Sequence, residues 1–120
     1  MATADGRLLA LDAATGEPCA DFGTSGTVDL WQSMPHHVDG SYLITSPPVV
    51  ARNVVIVGSS VADGTGALPS CVVRAYNLLT GRLTWNFDAG NPDSITPRRA
   101  DQTFTEIGPN ITAAMSVDEA

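Results

Sequence analysis

The sequence predicts an all-β protein, and three observations point to that class. Eleven glycines and eight prolines make about one residue in six a helix breaker, against a usual share of about 12%. No stretch of a dozen residues repeats its apolar positions with the 3.6-residue period of an amphipathic helix. Short apolar runs of strand length instead alternate with turn-forming residues, and two of these runs lead into the same turn sequence.

That turn sequence is a repeat. Residues 10–16 read Ala-Leu-Asp-Ala-Ala-Thr-Gly, and residues 75–81 read Ala-Tyr-Asn-Leu-Leu-Thr-Gly. Each copy predicts a strand that enters a tight turn and ends at a glycine with a positive φ. Ala20 stands in the first copy at the place that Trp85 takes in the second. A single hairpin cannot stabilise itself, so we expect the repeats to stack and share a core.

The remaining strands follow from local pattern. Between the copies, Pro48-Val-Val50 and Val54-Val-Ile-Val57 flank a short turn, which predicts a hairpin, and proline is tolerated where a strand begins. After the second glycine, the apolar residues alternate, as on a half-buried strand. The predicted strands are 8–11, 48–50, 54–57, 72–76 and 82–87. The predicted turns and loops, rich in Gly, Pro or polar residues, are 21–26, 32–40, 63–70 and 88–110.

The charge balance excludes whole classes of function. Six arginines and no lysines stand against thirteen acidic residues, a net charge of −7. Nucleic acids and anionic membranes are bound by clustered positive charge, so we expect neither as a partner. Arg98 and Arg99 are a lone basic pair and are expected to be solvated. With 43% hydrophobic and only 16% charged residues, the chain is expected to fold rather than to remain disordered.

Two cysteines, Cys19 and Cys71, leave a disulfide open, because their separation in sequence does not show whether their Cβ atoms meet. They lack the spacing of a zinc site. Both ends of the chain cut through repeats, and a new strand is expected near Ser116. Residues 1–120 are therefore expected to be one incomplete domain of a longer protein.

Longer stretches of the sequence resemble one family. The unit Ala-x-Asp/Asn-x-x-Thr-Gly-x-x-x-Trp resembles the tryptophan-docking motif of the quinoprotein dehydrogenase propellers, which bind pyrroloquinoline quinone (PQQ). The segments that are similar to the membrane-bound glucose dehydrogenases and their quinate/shikimate relatives are 3–16, Phe22-Gly23, Thr45-Ser-Pro-Pro-Val-Val50, Val73-Arg-Ala-Tyr76 and 85–93. This resemblance runs through the chain in one register. It implies an eight-bladed β-propeller, of which this chain would form about two blades.

The resemblance also implies an activity. It is that of a PQQ-dependent dehydrogenase that oxidises a sugar or polyol, glucose-like or quinate-like, and passes the electrons to ubiquinone. The enzyme would face the periplasm at the bacterial inner membrane, and its other partners would be the remaining blades of the same chain. The family's catalytic carboxylate lies in later blades, so no catalytic residue is expected here and residues 1–120 alone are expected to be inactive. The identity of the substrate stays open.

Five residues carry the implied cofactor site. PQQ is a flat quinone with carboxylates, and a site for it needs hydrogen-bond donors, a hard cation such as Ca²⁺ or Mg²⁺, and an apolar face. By resemblance, Asp63 ligates the metal, and Thr45, with Ser46 beside it, binds the cofactor. Asn110 matches the Asn of the family's Asn-x-Trp-Ala run, and Thr112 stands where that run has the Trp that stacks on the quinone.

Two departures from the family pattern keep a second function open. Thr112 offers far less flat apolar surface than tryptophan, and Gly64 replaces an Asn beside Asp63. Asp-Gly is also a strong turn former in its own right. These features favour a non-catalytic PQQ-like repeat propeller that scaffolds other proteins. Thr45 and Asp63 favour the enzyme, because a scaffold has no reason to keep oxygen ligands at the propeller axis.

Overall fold

The computed structural model describes residues 1–62, 66–106, 110 and 112–119. Every regular element in these residues is a strand, which confirms the all-β class. The strands are β1 (Arg7–Leu9), β2 (Thr27–Asp29), β3 (Tyr42–Leu43), β4 (Val49–Ala51), β5 (Val54–Val57), β6 (Ser60–Val61), β7 (Val73–Asn77) and β8 (Leu83–Phe87). A search of the same residues finds no helix of the length and apolar character that a membrane span requires.

Four of the strands form one antiparallel sheet in the order β4-β5-β7-β8, the arrangement of a propeller blade. The predicted hairpin is its first half: Ala51 pairs with Val54 across the β4–β5 turn, where Arg52 has a φ of 51°. A β-bulge between Ala75 and Tyr76 shifts the register of β7 on β8. The other strands make two small antiparallel sheets, β1 with β2 and β3 with β6.

Four predicted strands lie within a residue of the observed bounds, and the first one differs. Strand β1 ends at Leu9, and the pairing across the turn that follows is short. An isolated bridge joins Leu11 to Pro18, and the Cys19 amide donates to the Ala10 carbonyl at 2.9 Å. Strand β1 itself pairs with β2.

The strand predicted near Ser116 is wrong, because residues 112–119 form none. Glu119 instead binds Arg52: the Arg52 amide donates to its carboxylate at 2.9 Å and the guanidinium to its carbonyl at 2.8 Å.

In the first copy of the repeat, a side chain holds the turn. The Oδ1 atom of Asp12 accepts hydrogen bonds from the amides of Ala14 and Thr15, both at 2.9 Å. The Gly16 amide donates to the Asp12 carbonyl at 2.8 Å and closes the turn. The amides of Thr15 and then Ala14 stabilise the charged form, so they lower the pKa of the Asp12 carboxyl.

The second copy makes the same hydrogen bonds with a neutral side chain. The Oδ1 atom of Asn77 accepts from the amides of Leu79 and Thr80 at 3.0 Å, and the Gly81 amide donates to the Asn77 carbonyl at 2.9 Å. An acceptor oxygen on a short side chain is therefore what this position requires, and a charge is not. This explains why Asp and Asn alternate in the repeat.

Apolar clusters cover both faces of the four-stranded sheet. Along β5 the side chains divide between the faces, as the two-residue period of a strand requires: Val55 and Val57 belong to one cluster and Ile56 to the other. The larger cluster joins the sheet to residues 1–34, which contain β1, β2 and the first copy of the turn and are called the first repeat below. Its members are Leu8, Phe22, Val28, Leu30, Met34, Tyr42, Val55, Val57, Val61, Cys71, Val72, Tyr76 and Phe104. The smaller one consists of Ala51, Ile56 and Ala75, with Val54, Val73, Trp85 and Met115 packed on it.

The turn of the second copy touches the first repeat directly. The Gly23 amide donates a hydrogen bond to the Thr80 carbonyl at 2.9 Å. A Cβ atom added to Gly81, whose φ is 69°, would lie 2.7 Å from the Gly23 nitrogen. Gly16 has a similar φ of 76°, but a Cβ there would have no atom within 4 Å among the described residues. Gly16 is thus required by its backbone conformation alone, whereas Gly81 is required both by its conformation and by the close approach of Gly23.

We expect Gly81→Ala to destabilise the protein more than Gly16→Ala. Each variant places alanine at a positive φ, at a cost of about 1–2 kcal/mol, and only Gly81→Ala also drives a methyl group into backbone. The sum for Gly81→Ala is about 2–4 kcal/mol. Thermal unfolding of the two variants, followed by circular dichroism, measures the difference. Equal losses of Tm would show that the approach to Gly23 contributes nothing.

Candidate functional site

The predicted cofactor residues that the structure describes lie at one end of the four-stranded sheet. The antiparallel order brings the start of β4, the end of β5 and the start of β7 to that end. Segment 44–48 leads into β4, and the connection from β5 to β7 includes β6. Residues 110 and 112–113 reach the same place through side-chain hydrogen bonds. Asp63, the predicted metal ligand, lies outside the described residues.

Ser46 is buried and ties two distant segments together. Its Oγ lies 2.6 Å from the carbonyl oxygen of Thr112 and 3.0 Å from that of Ala113, and its hydroxyl proton is donated to this pair. The bond spans 66 residues of sequence. Ser46 therefore fixes the segment that carries Thr112 against the start of β4.

Thr45 and Thr112 present the open groups of this end. Both residues are exposed, and neither hydroxyl has a hydrogen-bond partner among the described residues. They lie on the two segments that the Ser46 hydroxyl joins. The result is a pair of hydroxyls that are available to a ligand with oxygen acceptors.

Asn110 holds the connection between β5 and β7 to the end of the chain. Its Oδ1 accepts from the Val61 amide at 2.8 Å, and its Nδ2 donates to the Val61 carbonyl at 3.2 Å. The Cys71 thiol donates to the same Oδ1 at 3.0 Å. Burial raises the pKa of this thiol, against a smaller opposing effect of the Val61 backbone, so the proton that it donates is retained.

Val61 and Cys71 are members of the site that sequence reasoning did not identify. The sequence contains only a partial indication for Cys71: it stands beside the apolar residues that lead into β7, which predicts burial but not a contact with Asn110. The two cysteines are both free thiols, Cys19 exposed and Cys71 buried. The disulfide that the sequence left open is therefore not formed.

The donor set fits part of what PQQ needs. Exposed hydroxyls on Thr45 and Thr112 suit its carbonyl and carboxylate oxygens, whereas none of the described residues predicted for the site is aromatic. Among the residues that the structure describes, no group of three or more His, Cys, Asp or Glu side chains could hold a metal ion. Two exposed hydroxyls are thus what this end of the sheet offers to the oxygen atoms of a ligand.

Comparison with known proteins gives one consistent result. The PQQ family model described as "Glucose/ethanol/alcohol dehydrogenase, beta-propeller domain" matches residues 1–120. The chain is 40% identical to quinate/shikimate dehydrogenase (quinone) of Acinetobacter baylyi over 118 residues, 97% of this chain and 15% of the relative. It is also 40% identical to quinoprotein glucose dehydrogenase A of Acinetobacter calcoaceticus, over 95% of this chain and 14% of that protein.

A third relative is the glycerol dehydrogenase large subunit of Gluconobacter oxydans, 38% identical over 98% of this chain and 16% of the relative. The chain thus spans 14–16% of the length of these curated relatives. No solved structure matches it significantly.

We expect Ser46→Ala to loosen residues 112–113, because their carbonyls lose the hydroxyl that holds them. The loss of such a bond costs about 0.5–1.5 kcal/mol. Hydrogen exchange measured by mass spectrometry checks this through faster exchange in peptides that cover 112–119. The neighbouring Thr45→Ala variant is the matched control and leaves exchange there unchanged. Unchanged exchange in Ser46→Ala would refute the anchoring role.

We expect Cys71 to resist alkylation while Cys19 reacts. The pKa of the buried thiol is raised above its ordinary value of 9.0, so Cys71 stays protonated as the pH rises through that value. The Cys71 thiol of the unfolded chain ionises at a lower pH than that of the folded protein. The contribution of this thiol to the stability of the folded protein is therefore fully present below about pH 9 and is lost above it. Iodoacetamide labelling with peptide mapping, from pH 7 to 10, measures both rates. Equal labelling of the two cysteines in the folded protein would contradict the burial of Cys71.

Proposed function

This chain belongs to the PQQ family of glucose/ethanol/alcohol dehydrogenase β-propellers, and we propose that the protein of which it forms part is a PQQ-dependent dehydrogenase of sugars or polyols. The observation that carries the proposal is similarity over nearly the whole chain to dehydrogenases of quinate, glucose and glycerol. These substrates share a secondary or hemiacetal hydroxyl on a small polar molecule. The scaffold alternative is not favoured, because these curated relatives are enzymes.

In this proposal, the end of the sheet beside Thr45 is part of the cofactor site. Bound PQQ supplies the electron acceptor for oxidation of the alcohol. The exposed Thr45 hydroxyl donates a hydrogen bond to a cofactor oxygen, and Thr112 borders the same space. Ser46 and Asn110 do not contact the cofactor in this proposal but position the residues around it. The Ser46 hydroxyl bonds to the Thr112 carbonyl, and Asn110 bonds to Val61, so that both segments at this end of the sheet are held in place.

A hard divalent cation, Ca²⁺ or Mg²⁺, completes the proposed site. Asp63 is its proposed ligand from this chain, since a carboxylate oxygen is what such cations prefer. In the sequence it stands between Val61 and Cys71, the two partners of Asn110. The ligands still needed to complete the coordination, and the catalytic carboxylate, are proposed to come from other parts of the protein.

The proposed setting is a larger ring. Residues 1–120 would supply about two blades of an eight-bladed propeller. Support comes from the four-stranded sheet, which is covered on one face by the first repeat and contacted on the other by Met115. We place the enzyme at the periplasmic face of the inner membrane with ubiquinone as electron acceptor. The name of the quinate/shikimate relative, which specifies a quinone, supports that acceptor.

Reconstitution of the full-length protein tests the function. The apoprotein is incubated with PQQ and either Ca²⁺ or Mg²⁺, and reduction of an artificial dye is followed with glucose, quinate and glycerol as separate substrates. The proposal expects PQQ-dependent and metal-dependent dye reduction with at least one of them. The absence of dye reduction with all three substrates would contradict the proposal, and the absence of PQQ binding as well would favour the scaffold.

We expect Thr112→Trp to tighten PQQ binding. An indole beside Thr45 adds a flat face on which the quinone stacks, worth about 0.5–1.5 kcal/mol beyond burial, or roughly twofold to twelvefold in Kd. Titration of the apoprotein with PQQ, followed by tryptophan fluorescence and absorbance, measures the change. The matched control is Thr84→Trp, on strand β8 away from this end of the sheet. Equal effects of both variants would contradict the position proposed for the cofactor.

A further inference from the structure

A cavity of about 390 Å³ lies between the first repeat and the four-stranded sheet. Its wall extends from the β7–β8 turn, at Gly81 and Arg82, to Arg74 near the start of β7, and none of the described residues predicted for the cofactor site lines it. Arg74, Arg82 and Arg98 all line it, half of the arginines in the chain. None of its lining residues among those described is acidic. In a chain of net charge −7, this concentration of positive charge calls for an explanation.

Arg74 enters the cavity wall almost fully buried, with 1% of its surface exposed. Its Nη2 donates to the Tyr42 hydroxyl at 2.6 Å. Its Nε has no hydrogen-bond partner among the described residues. This Nε is itself buried, so what Arg74 contributes to the cavity wall is its positive charge.

Arg98 repeats the pattern and corrects an expectation. The sequence placed Arg98 and Arg99 together in solvent, but the Arg98 side chain is only 11% exposed, whereas Arg99 is 71% exposed. Arg98 lies over the Phe104 ring at 5.8 Å and donates through Nη1 to the Ser94 hydroxyl at 3.1 Å. Its Nε is also buried and has no partner in the described part of the chain.

The charged side chains around the cavity favour a ligand of negative charge. Two carboxylates act on the three arginines: Asp88 is 3.7 Å from the Arg98 guanidinium, and Asp29 acts electrostatically on Arg74. Arg82 makes no ion pair with the residues that the structure describes, so the wall keeps an excess of positive charge, which attracts an anion. A planar carboxylate also matches the fork of a guanidinium in two parallel hydrogen bonds.

The neutral part of the wall narrows the chemistry further. Gln32 and Ser33 supply an amide and a hydroxyl, while Phe104 and Tyr76 supply ring surface. Hydroxyl groups on the ligand would find partners in the first pair. We propose that this cavity is a binding site for a small hydroxycarboxylate, separate from the proposed PQQ site and independent of the proposed activity.

Calorimetric titration of the full-length apoprotein, without PQQ and at constant ionic strength, tests the proposal. The probe is sodium glycerate, with glycerol as its neutral counterpart and inorganic phosphate as a competing anion. We expect saturable binding of glycerate, no binding of glycerol, and weaker binding of phosphate. Because no cofactor or turnover is involved, failure here is distinct from failure of the dehydrogenase proposal.

Variants locate the site. Arg98→Gln is expected to weaken glycerate binding about tenfold or more, as the loss of a charged hydrogen bond from a buried site requires. Arg99→Gln, the exposed neighbour, is the matched control and leaves the Kd unchanged. Arg82 is exposed, so Arg82→Gln is expected to weaken binding only about twofold to fivefold, and it keeps the test valid if Arg98→Gln does not fold.

Three results would overturn the proposal. They are the absence of saturable glycerate binding to the wild-type protein, tighter binding of phosphate than of glycerate, and equal glycerate affinity in the folded Arg82, Arg98 and Arg99 variants. The first would show that the arginines serve packing alone. The second would assign the cavity to a dianion, and the third would place the binding site elsewhere.

Discussion

The fold depends on how it accommodates one buried cation, Arg74 on strand β7. A guanidinium removed from water is costly unless other groups replace its hydration. Here the Tyr42 hydroxyl accepts from it, and the rings of Tyr42, Tyr76 and Phe104 lie 5.7–5.9 Å from its central carbon. Burial opposes the charge, but the effects of Tyr42 and Tyr76 outweigh it, so the pKa of Arg74 is raised. The strand β3, the strand β7 and the segment near Phe104 must all be in place for this arrangement to exist.

The long segment after β8 is held by a second set of buried polar groups. Asp88 accepts hydrogen bonds from the Thr105 amide at 2.7 Å and the Gly90 amide at 3.1 Å, and it pairs with Arg98. The Oδ1 atom of Asn86 accepts a hydrogen bond from the Arg98 amide at 3.1 Å. These contacts position Phe104 against Arg74. The segment after β8, which has no regular strands, therefore still completes the core. The cavity between the arginines is what remains where this segment meets the first repeat.

Much of this architecture could be predicted from the sequence, and the failures have physical causes. Apolar runs beside turn residues located β5, β7 and β8, which have four or five residues, and β4 was found as the partner of β5 across a short turn. Strands β2, β3 and β6 have two or three residues and leave no such pattern. Burial of Arg98 could not be predicted, because its partners Asp88 and Ser94 lie in a segment whose path depends on tertiary contacts.

The site shows the same division. The turn residues and Thr45-Ser46 were recognisable as a pattern, but which hydroxyl is open and which is occupied depends on the carbonyl of Thr112, 66 residues from Ser46. The most direct test of the account is a crystal structure of the full-length protein with PQQ and Ca²⁺ bound. The account predicts the Thr45 hydroxyl within about 2.5–3.2 Å of a PQQ oxygen, with Ser46 still bonded to the Thr112 carbonyl. PQQ bound away from Thr45 would contradict it.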